Sequence, residues 1–100
     1  MIDGQEQMDE KILRRQLELL AERSQKIQDT LELVDVSFAM IKIIKHLKKT
    51  GQRVDSQKQS NEKILRQQLT QLAEHSKQIG DPFELASASL AMLAIVKLLF

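Results

Sequence analysis

Hydrophobic residues recur along the first half of the chain with the spacing of amphipathic helices. From residue 13 to residue 31 the positions on one helix face are separated alternately by four and three residues. That face carries Leu13, Leu17, Leu20, Ser24, Ile27 and Leu31. A second face follows, made of Leu33, Val36, Met40, Ile43, Ile44 and Leu47. The pattern therefore predicts two amphipathic helices, the second more apolar than the first.

The same pattern occurs a second time in the other half of the chain. Residues 62–99 align with residues 10–47 without a gap, at an offset of 52 positions, and 21 of the 38 aligned positions are identical. Self-similarity of this kind is typical of a duplicated structural unit. Residues 10–47 are called the N-terminal segment below, and residues 62–99 the C-terminal segment. Each segment is predicted to contain two helices.

A short turn with a helix-starting signal separates the two helices of each segment. Asp29 precedes Glu32 by three positions, the spacing of a capping box, in which Asp accepts free N–H groups of the first turn. The aligned residues Asp81 and Glu84 repeat this spacing. Pro82 stands at the first helical position, where its missing N–H has no partner to lose. So tight a connection predicts an αα-hairpin, whose helices run antiparallel.

Other helix boundaries are predicted from polar residues and glycine. Asp9 and the aligned Asn61 are expected to be N-caps of the first helix of each segment, which leaves residues 1–8 as a frayed tail. Gly80 suits the left-handed conformation that ends many helices. Residues 48–61 are polar and are expected to form a flexible or partly helical linker.

These elements predict an all-α fold in a single domain, residues 1–100. The two segments, 10–47 and 62–99, are tandem-duplicated αα-hairpins joined by the polar linker 48–61. They are expected to form an antiparallel four-helix bundle with pseudo-two-fold symmetry, because one hairpin cannot bury its apolar face alone. An ancestral homodimer of hairpins, later fused, would explain the duplication. A dimer that exchanges hairpins between two chains is the alternative.

Composition narrows the class of protein. The chain has 15 basic and 14 acidic residues, so no overall field attracts it to nucleic acid or anionic lipid. It has no cysteine, which excludes disulfides and thiolate sites. The first residues are polar and acidic, unlike a signal peptide, and a cytoplasmic location is expected. No cofactor is expected.

The clearest difference between the segments lies on the back of their second helices. The N-terminal segment has Glu32, Asp35, Ala39, Lys42 and His46 there, whereas the C-terminal segment has Glu84, Ser87, Ala91, Ala94 and Leu98. Phe100 also replaces Lys48. A helix that is apolar nearly all round must be covered on more than one side. The last helix is therefore either the most central helix of the bundle or a contact surface for a dimer or a partner helix. The predicted interface residues are Leu90, Ala91, Ala94, Leu98 and Phe100.

Candidates for catalysis or metal binding do not converge. The two histidines, His46 and His75, are not aligned with each other, and no metal-binding spacing surrounds them. His46 followed by lysines and Gly51 resembles the phosphorylated histidine of phosphotransfer domains, but those histidines lie in mid-helix and His46 lies in a last turn. Ser24 and Ser37 recur as serines in the C-terminal segment and are expected to bond to carbonyls of their own helices. An enzyme is not expected.

A basic cluster offers a second reading of function. It consists of Lys42, Lys45, Lys48, Lys49, Arg53 and Lys58. Such a cluster could contact phosphates of a nucleic acid, although no aromatic platform or helix-turn-helix pattern accompanies it.

A third reading is membrane association through the apolar last helix, although the aligned helix of the N-terminal segment carries charges. The first expectation is a non-enzymatic protein–protein interaction module, a small adaptor or regulator, whose last helix is a homodimer seam or a groove for a helical partner.

Overall fold

The computed structural model describes residues 4–49 and 55–100, and nothing but helices and turns occurs in these ranges. The helices are α1 (Gly4–Ser24), α2 (Thr30–Lys49), α3 (Asp55–Ser76) and α4 (Pro82–Leu99). They pack into an elongated bundle measuring 51 × 24 × 20 Å. The predicted all-α class is confirmed, as is the packing of four helices together.

The starts of α2 and α4 follow the predicted capping residues. Asp29 Oδ1 accepts a hydrogen bond from the backbone N–H of Glu32 at 3.1 Å. Asp81 Oδ1 accepts one from the N–H of Phe83 at 2.8 Å, and Pro82 occupies the first turn of α4. Each aspartate satisfies an N–H group that has no partner within its helix.

The N-caps predicted for the first helix of each segment are wrong. α1 begins at Gly4 and α3 at Asp55, so Asp9 and Asn61 lie inside helices and are not N-caps. The residues before them are mostly Gln, Glu, Met, Lys and Ser, without a proline, and such residues extend a helix readily. The second half of the predicted linker is consequently helical, while positions 50–54 lie outside the described residues. Gly80 does not adopt the left-handed conformation.

α2 is the central helix of the bundle. It packs against α1, α3 and α4, whereas α4 packs against α2 and α3. The buried residues of α2 are Leu33, Val34, Ser37, Met40, Ile41, Ile44 and Leu47. Those of α4 are Ala88, Ala91 and Ile95. The prediction that the last helix could be the most central one is therefore wrong.

α1 and α3 run in the same direction. Arg14 Nη1 donates to Asn61 Oδ1 at 2.6 Å, and ten residues further along α1, Ser24 Oγ lies 3.1 Å from Gln68 Oε1. Since residue numbers rise together on both helices, the N-terminal end of α1 lies beside that of α3. At the other side of the bundle, Lys48 Nζ donates to the carbonyl of Leu98 at 3.0 Å, which joins the C-terminal ends of α2 and α4.

The predicted pseudo-two-fold symmetry is wrong. A two-fold axis would give α2 and α4 matching neighbours and matching buried faces, because each interface would use the same surface of both segments. Instead α2 packs against three helices and α4 against two. Ser37 is fully buried, but the aligned Ser89 is exposed. The two segments thus use different surfaces to contact each other.

Candidate interaction surface

One side of α4 is an exposed apolar surface. Its large residues are Leu85, Leu90, Leu93, Val96 and Phe100, with exposed fractions of 40%, 61%, 51%, 37% and 91%. Together with the exposed Ser89, these residues are called the α4 face below. Phe83, at the start of the helix, is 83% exposed as well. Contiguous apolar surface of this kind on a soluble domain commonly marks a binding site.

The predicted interface residues divide between this face and the core. Leu90 and Phe100 belong to the α4 face. Ala91 is fully buried, so its assignment to a free surface is wrong. Its small side chain, like that of Ala88, lies in the core cluster and lets α4 approach closely. Ala94 and Leu98 are half-buried and pack against the edge of that cluster.

Aligned residues of α2 and α4 have opposite exposure. Leu33, Ile41 and Ile44 are at most 2% exposed. The residues aligned with them, Leu85, Leu93 and Val96, belong to the α4 face. Conversely, buried Ala91 aligns with exposed Ala39. At 100° per residue, the buried face of α4 is rotated by roughly a third of a turn relative to that of α2. The surface that forms the core in the N-terminal segment is therefore open in the C-terminal segment.

Three buried polar residues join the two segments inside the bundle. Gln68 Nε2 donates to Ser37 Oγ at 2.9 Å, and Ser37 Oγ donates to the carbonyl of Leu33 at 2.7 Å. Ser24 Oγ lies 2.9 Å from the carbonyl of Ala21 and 3.1 Å from Gln68 Oε1, so its hydroxyl hydrogen can serve either acceptor. Gln68 thus places α3 in the groove between α1 and α2. Buried polar groups that are satisfied in this way fix one arrangement of helices against others.

The bonds of these serines to carbonyls of their own helices are predictable from the sequence, whereas the role of Gln68 is not. Ser37, Ser76 and Ser89 each bond to the carbonyl four residues earlier, as predicted. Gln68 was missed because glutamine is common on exposed helix faces, and the aligned Gln16 is exposed. The available signal was that glutamine occupies this position in both segments, one helical turn from Leu65 and from Leu72.

Arg14 is the one ionisable group whose pKa clearly departs from its ordinary value in the described part of the chain. Partial burial lowers the pKa of its guanidinium, and the nearby carboxylate of Glu18 opposes this shift. Nη1 binds Asn61, while Nη2 is buried without a hydrogen-bond partner. The side chain links the middle of α1 to the first third of α3.

The basic cluster lies on the surface at the C-terminal end of α2 and the start of α3. Lys42, Lys45, Lys48, Lys49 and Lys58 are exposed, and Arg53 lies outside the described residues. The bond from Lys48 to the carbonyl of Leu98 places its positive charge at the C-terminal end of α4, where the helix dipole favours a cation. Among the described residues of the cluster, no contact indicates a phosphate site.

The histidines and acidic residues considered for catalysis or metal binding lie apart from one another in the described part of the chain. His46 is exposed on α2 and His75 half-buried on α3. Within residues 4–49 and 55–100, no group of three or more histidine, aspartate or glutamate side chains could hold a metal ion. Glu74 forms an exposed ion pair with Lys77 at 3.3 Å. Such surface pairs contribute little to stability.

α4 also meets the length and composition of a membrane-spanning helix. Three of its 18 residues are buried in the bundle. Core helices of soluble proteins satisfy the same criterion, so this property alone does not decide what covers the α4 face.

Comparison with models of protein families, with curated proteins and with solved structures gives no match for this chain. Its function must be inferred from its own residues.

Proposed function

We propose that this chain is a non-enzymatic protein–protein interaction module in which the α4 face binds a protein surface. The observation that carries the proposal is the exposure of five large apolar residues along one side of α4. Burying a leucine or phenylalanine side chain contributes roughly 1.5–3 kcal/mol, so covering this face would be strongly favourable. The aromatic ring of Phe100, with Arg66 6.0 Å from its centroid, would lie at one end of the contact.

We infer further that the module consists of two antiparallel αα-hairpins that arose by tandem duplication. The gapless alignment of the two segments supports the duplication. Contacts between α3 and α4 support the antiparallel arrangement: Arg66 meets Phe100, and ten residues later Ser76 Oγ lies 4.0 Å from the sulfur of Met92. The residue number rises on one helix while it falls on the other.

Site-specific photo-cross-linking tests whether protein covers the α4 face. A photoreactive amino acid replaces Leu90 in the chain, expressed in the cells from which the sequence comes. We expect a covalent adduct with a protein, because the side chain at position 90 would lie within the contact. The matched control carries the same photoreactive group at Gln67, an exposed position on α3. Equal labelling at the two positions, or none at either, would contradict the proposal.

A lipid surface is the second candidate for covering this face, because α4 is long and apolar enough to enter a membrane. In that case the purified chain would co-sediment with liposomes. Leu93→Glu would abolish this binding, since a carboxylate in the apolar region is costly. We favour the protein contact because Ser89 lies in the middle of the α4 face, where the aligned Ser37 accepts a hydrogen bond from a helix of the other segment.

A further inference from the structure

We propose that the partner of the α4 face is a second molecule of this same chain, bound head to tail, with its α1 in the groove between α3 and α4. This inference rests on the proposed function of the α4 face as a protein contact. It is carried by a relationship between the aligned residues of the two segments: each segment leaves exposed or half-buried the surface that the other one buries.

The internal contact defines what such an interface needs. α3 inserts Leu65, Gln68 and Leu72 towards α1 and α2, and these residues are at most 3% exposed. The groove that receives them is lined by the serines Ser24 and Ser37, both fully buried. We call the side of a segment that inserts its residues the donor side, and the groove that receives them the acceptor side.

The donor side recurs on α1, where it is partly exposed. Leu13, Gln16 and Leu20 align with Leu65, Gln68 and Leu72 and are identical to them. In the folded chain Gln16 is exposed and the two leucines are half-buried. The N-terminal segment therefore presents the same three side chains that hold the C-terminal segment in place.

The acceptor side recurs on α3 and α4, where it is partly exposed. Ser76 and Ser89 align with Ser24 and Ser37, and Ser89 is exposed whereas Ser37 is buried. The apolar positions around it, from Leu85 to Val96, are those of the α4 face. Placing Gln16 of another molecule there would let its amide bind Ser89 and Ser76, as Gln68 binds Ser37 and Ser24.

The charged residues at the end of the contact agree with this placement. Inside the chain, Arg14 of the acceptor side binds Asn61 of the donor side. The aligned residues are Arg66 and Asp9, which are both exposed. In the head-to-tail contact, Arg66 of one molecule would face Asp9 of the next. Opposite charges at these positions favour this register and oppose others.

The second helix of each segment also belongs to its donor side: α4 in the contact within the chain, and α2 in the contact between molecules. α2 is expected to fit its neighbour less well than α4 does, which limits the strength of the contact. The three buried residues of α4 align with Val36, Ala39 and Ile43, so the centre stays apolar. At the rim, however, Lys42 and His46 replace Ala94 and Leu98. We therefore expect reversible association that is weaker than the packing within the chain.

A head-to-tail contact uses a different surface on each of the two molecules, so every complex that does not close into a ring retains one free donor side and one free acceptor side. Stacked helical hairpins that pack only on their neighbours build solenoids in the same way. The purified chain should form a concentration-dependent series of species larger than a dimer.

Two blocking variants test the inference by sedimentation velocity from micromolar to millimolar concentration. Gln16→Arg blocks the donor side and Ser89→Arg blocks the acceptor side; both residues are exposed, so the fold of the chain is retained. We expect the original chain to grow in mass with concentration and each variant alone to stay at the 11.5 kDa of one chain. An equal mixture of the variants should form a two-chain complex and nothing larger, because one intact donor side and one intact acceptor side remain.

The control is Gln67→Arg, which places on α3 the arginine that the N-terminal segment has at the aligned Arg15. This exposed position lies outside both sides, and the variant should associate like the original chain. If Ser89→Arg abolished association and Gln16→Arg did not, two α4 faces would be meeting each other and the head-to-tail contact would be wrong. A mixture that stays monomeric would also overturn it.

Failure of this inference is distinguishable from failure of the proposed function. If the original chain stayed monomeric at every concentration, self-association would be excluded. Photo-cross-linking at position 90 would then still report whether a different protein covers the α4 face. An adduct between two molecules of this chain, joining position 90 of one to α1 of the other, supports both proposals.

Discussion

Gln68 and Ser37 are joined by a buried hydrogen bond of 2.9 Å although they belong to different segments of the chain. Their aligned counterparts, Gln16 and Ser89, are both exposed. This pair of residues therefore shows that the two segments are buried differently in the fold. The N-terminal segment receives a helix in its groove, and the C-terminal segment supplies one and leaves its own groove open.

Replacing the two glutamines should have unequal effects. Gln68→Ala removes a buried side chain that spans two serines, and we expect the free energy of unfolding to fall by about 1–3 kcal/mol. Gln16→Ala, the matched change at the aligned exposed position, should alter it by no more than about 0.5 kcal/mol. Urea denaturation at micromolar protein concentration, followed by the circular dichroism signal of the helices, measures the free energy of unfolding of both variants. Equal losses would contradict the different exposure of the two residues.

A second matched pair tests the rotation of α4. Ile41 is 2% exposed and the aligned Leu93 is 51% exposed. Ile41→Ala should therefore reduce the free energy of unfolding by about 2–5 kcal/mol, because it leaves a cavity in the core. Leu93→Ala should reduce it by about 0.5 kcal/mol or less in the monomer. A large loss for Leu93→Ala in dilute solution would mean that the α4 face is covered within one chain.

The cap of α4 should contribute measurably to stability. Asp81→Ala removes the acceptor for the N–H of Phe83 and should cost about 1 kcal/mol in the free energy of unfolding. Asp81→Asn, which can still accept that bond, should recover most of the loss. Asp35→Ala, an exposed change within α2, serves as the control and should be nearly neutral. If Asp81→Ala were equally neutral, the cap would not contribute in solution.

Substitutions at the rim of the donor side, at Lys42 and His46, should strengthen association. Lys42→Ala combined with His46→Leu gives α2 the residues that α4 has at Ala94 and Leu98. Removing one charge and adding one leucine to the contact should tighten the dissociation constant by roughly tenfold or more. Lys45→Ala, a charge removal away from this rim, should leave association unchanged. Weaker association of the double variant would argue against the head-to-tail contact.

The charged pair at the end of the contact can be exchanged. Asp9→Arg and Arg66→Asp should each weaken association of the chain, because each places two like charges opposite one another. The chain that carries both substitutions should associate again, since the opposite charges are then restored with their positions reversed. Sedimentation velocity at low salt measures all three variants. No recovery in the double variant would contradict the pairing of these residues between molecules.

Local signals in the sequence determined the helical class and the starts of α2 and α4. Spacing of apolar residues and the aspartates at 29 and 81 act over a few positions, so they can be recognised without the rest of the fold. The starts of α1 and α3 lie earlier than the sequence predicts, because polar residues such as those before Asn61 continue a helix as readily as they end one.

The sequence also determined that the two segments have the same spacing of apolar residues, since most residues of the two apolar helix faces are identical in both. It could not decide that they would be used unequally. Leu33 and Leu85 are the same residue at aligned positions, yet one is fully buried and the other 40% exposed. Only the tertiary structure decides which of two similar faces is covered, because a single chain contains one contact between its two segments and that contact uses a different surface of each. The surfaces left over, on α1 and α4, are a consequence of that one asymmetric contact.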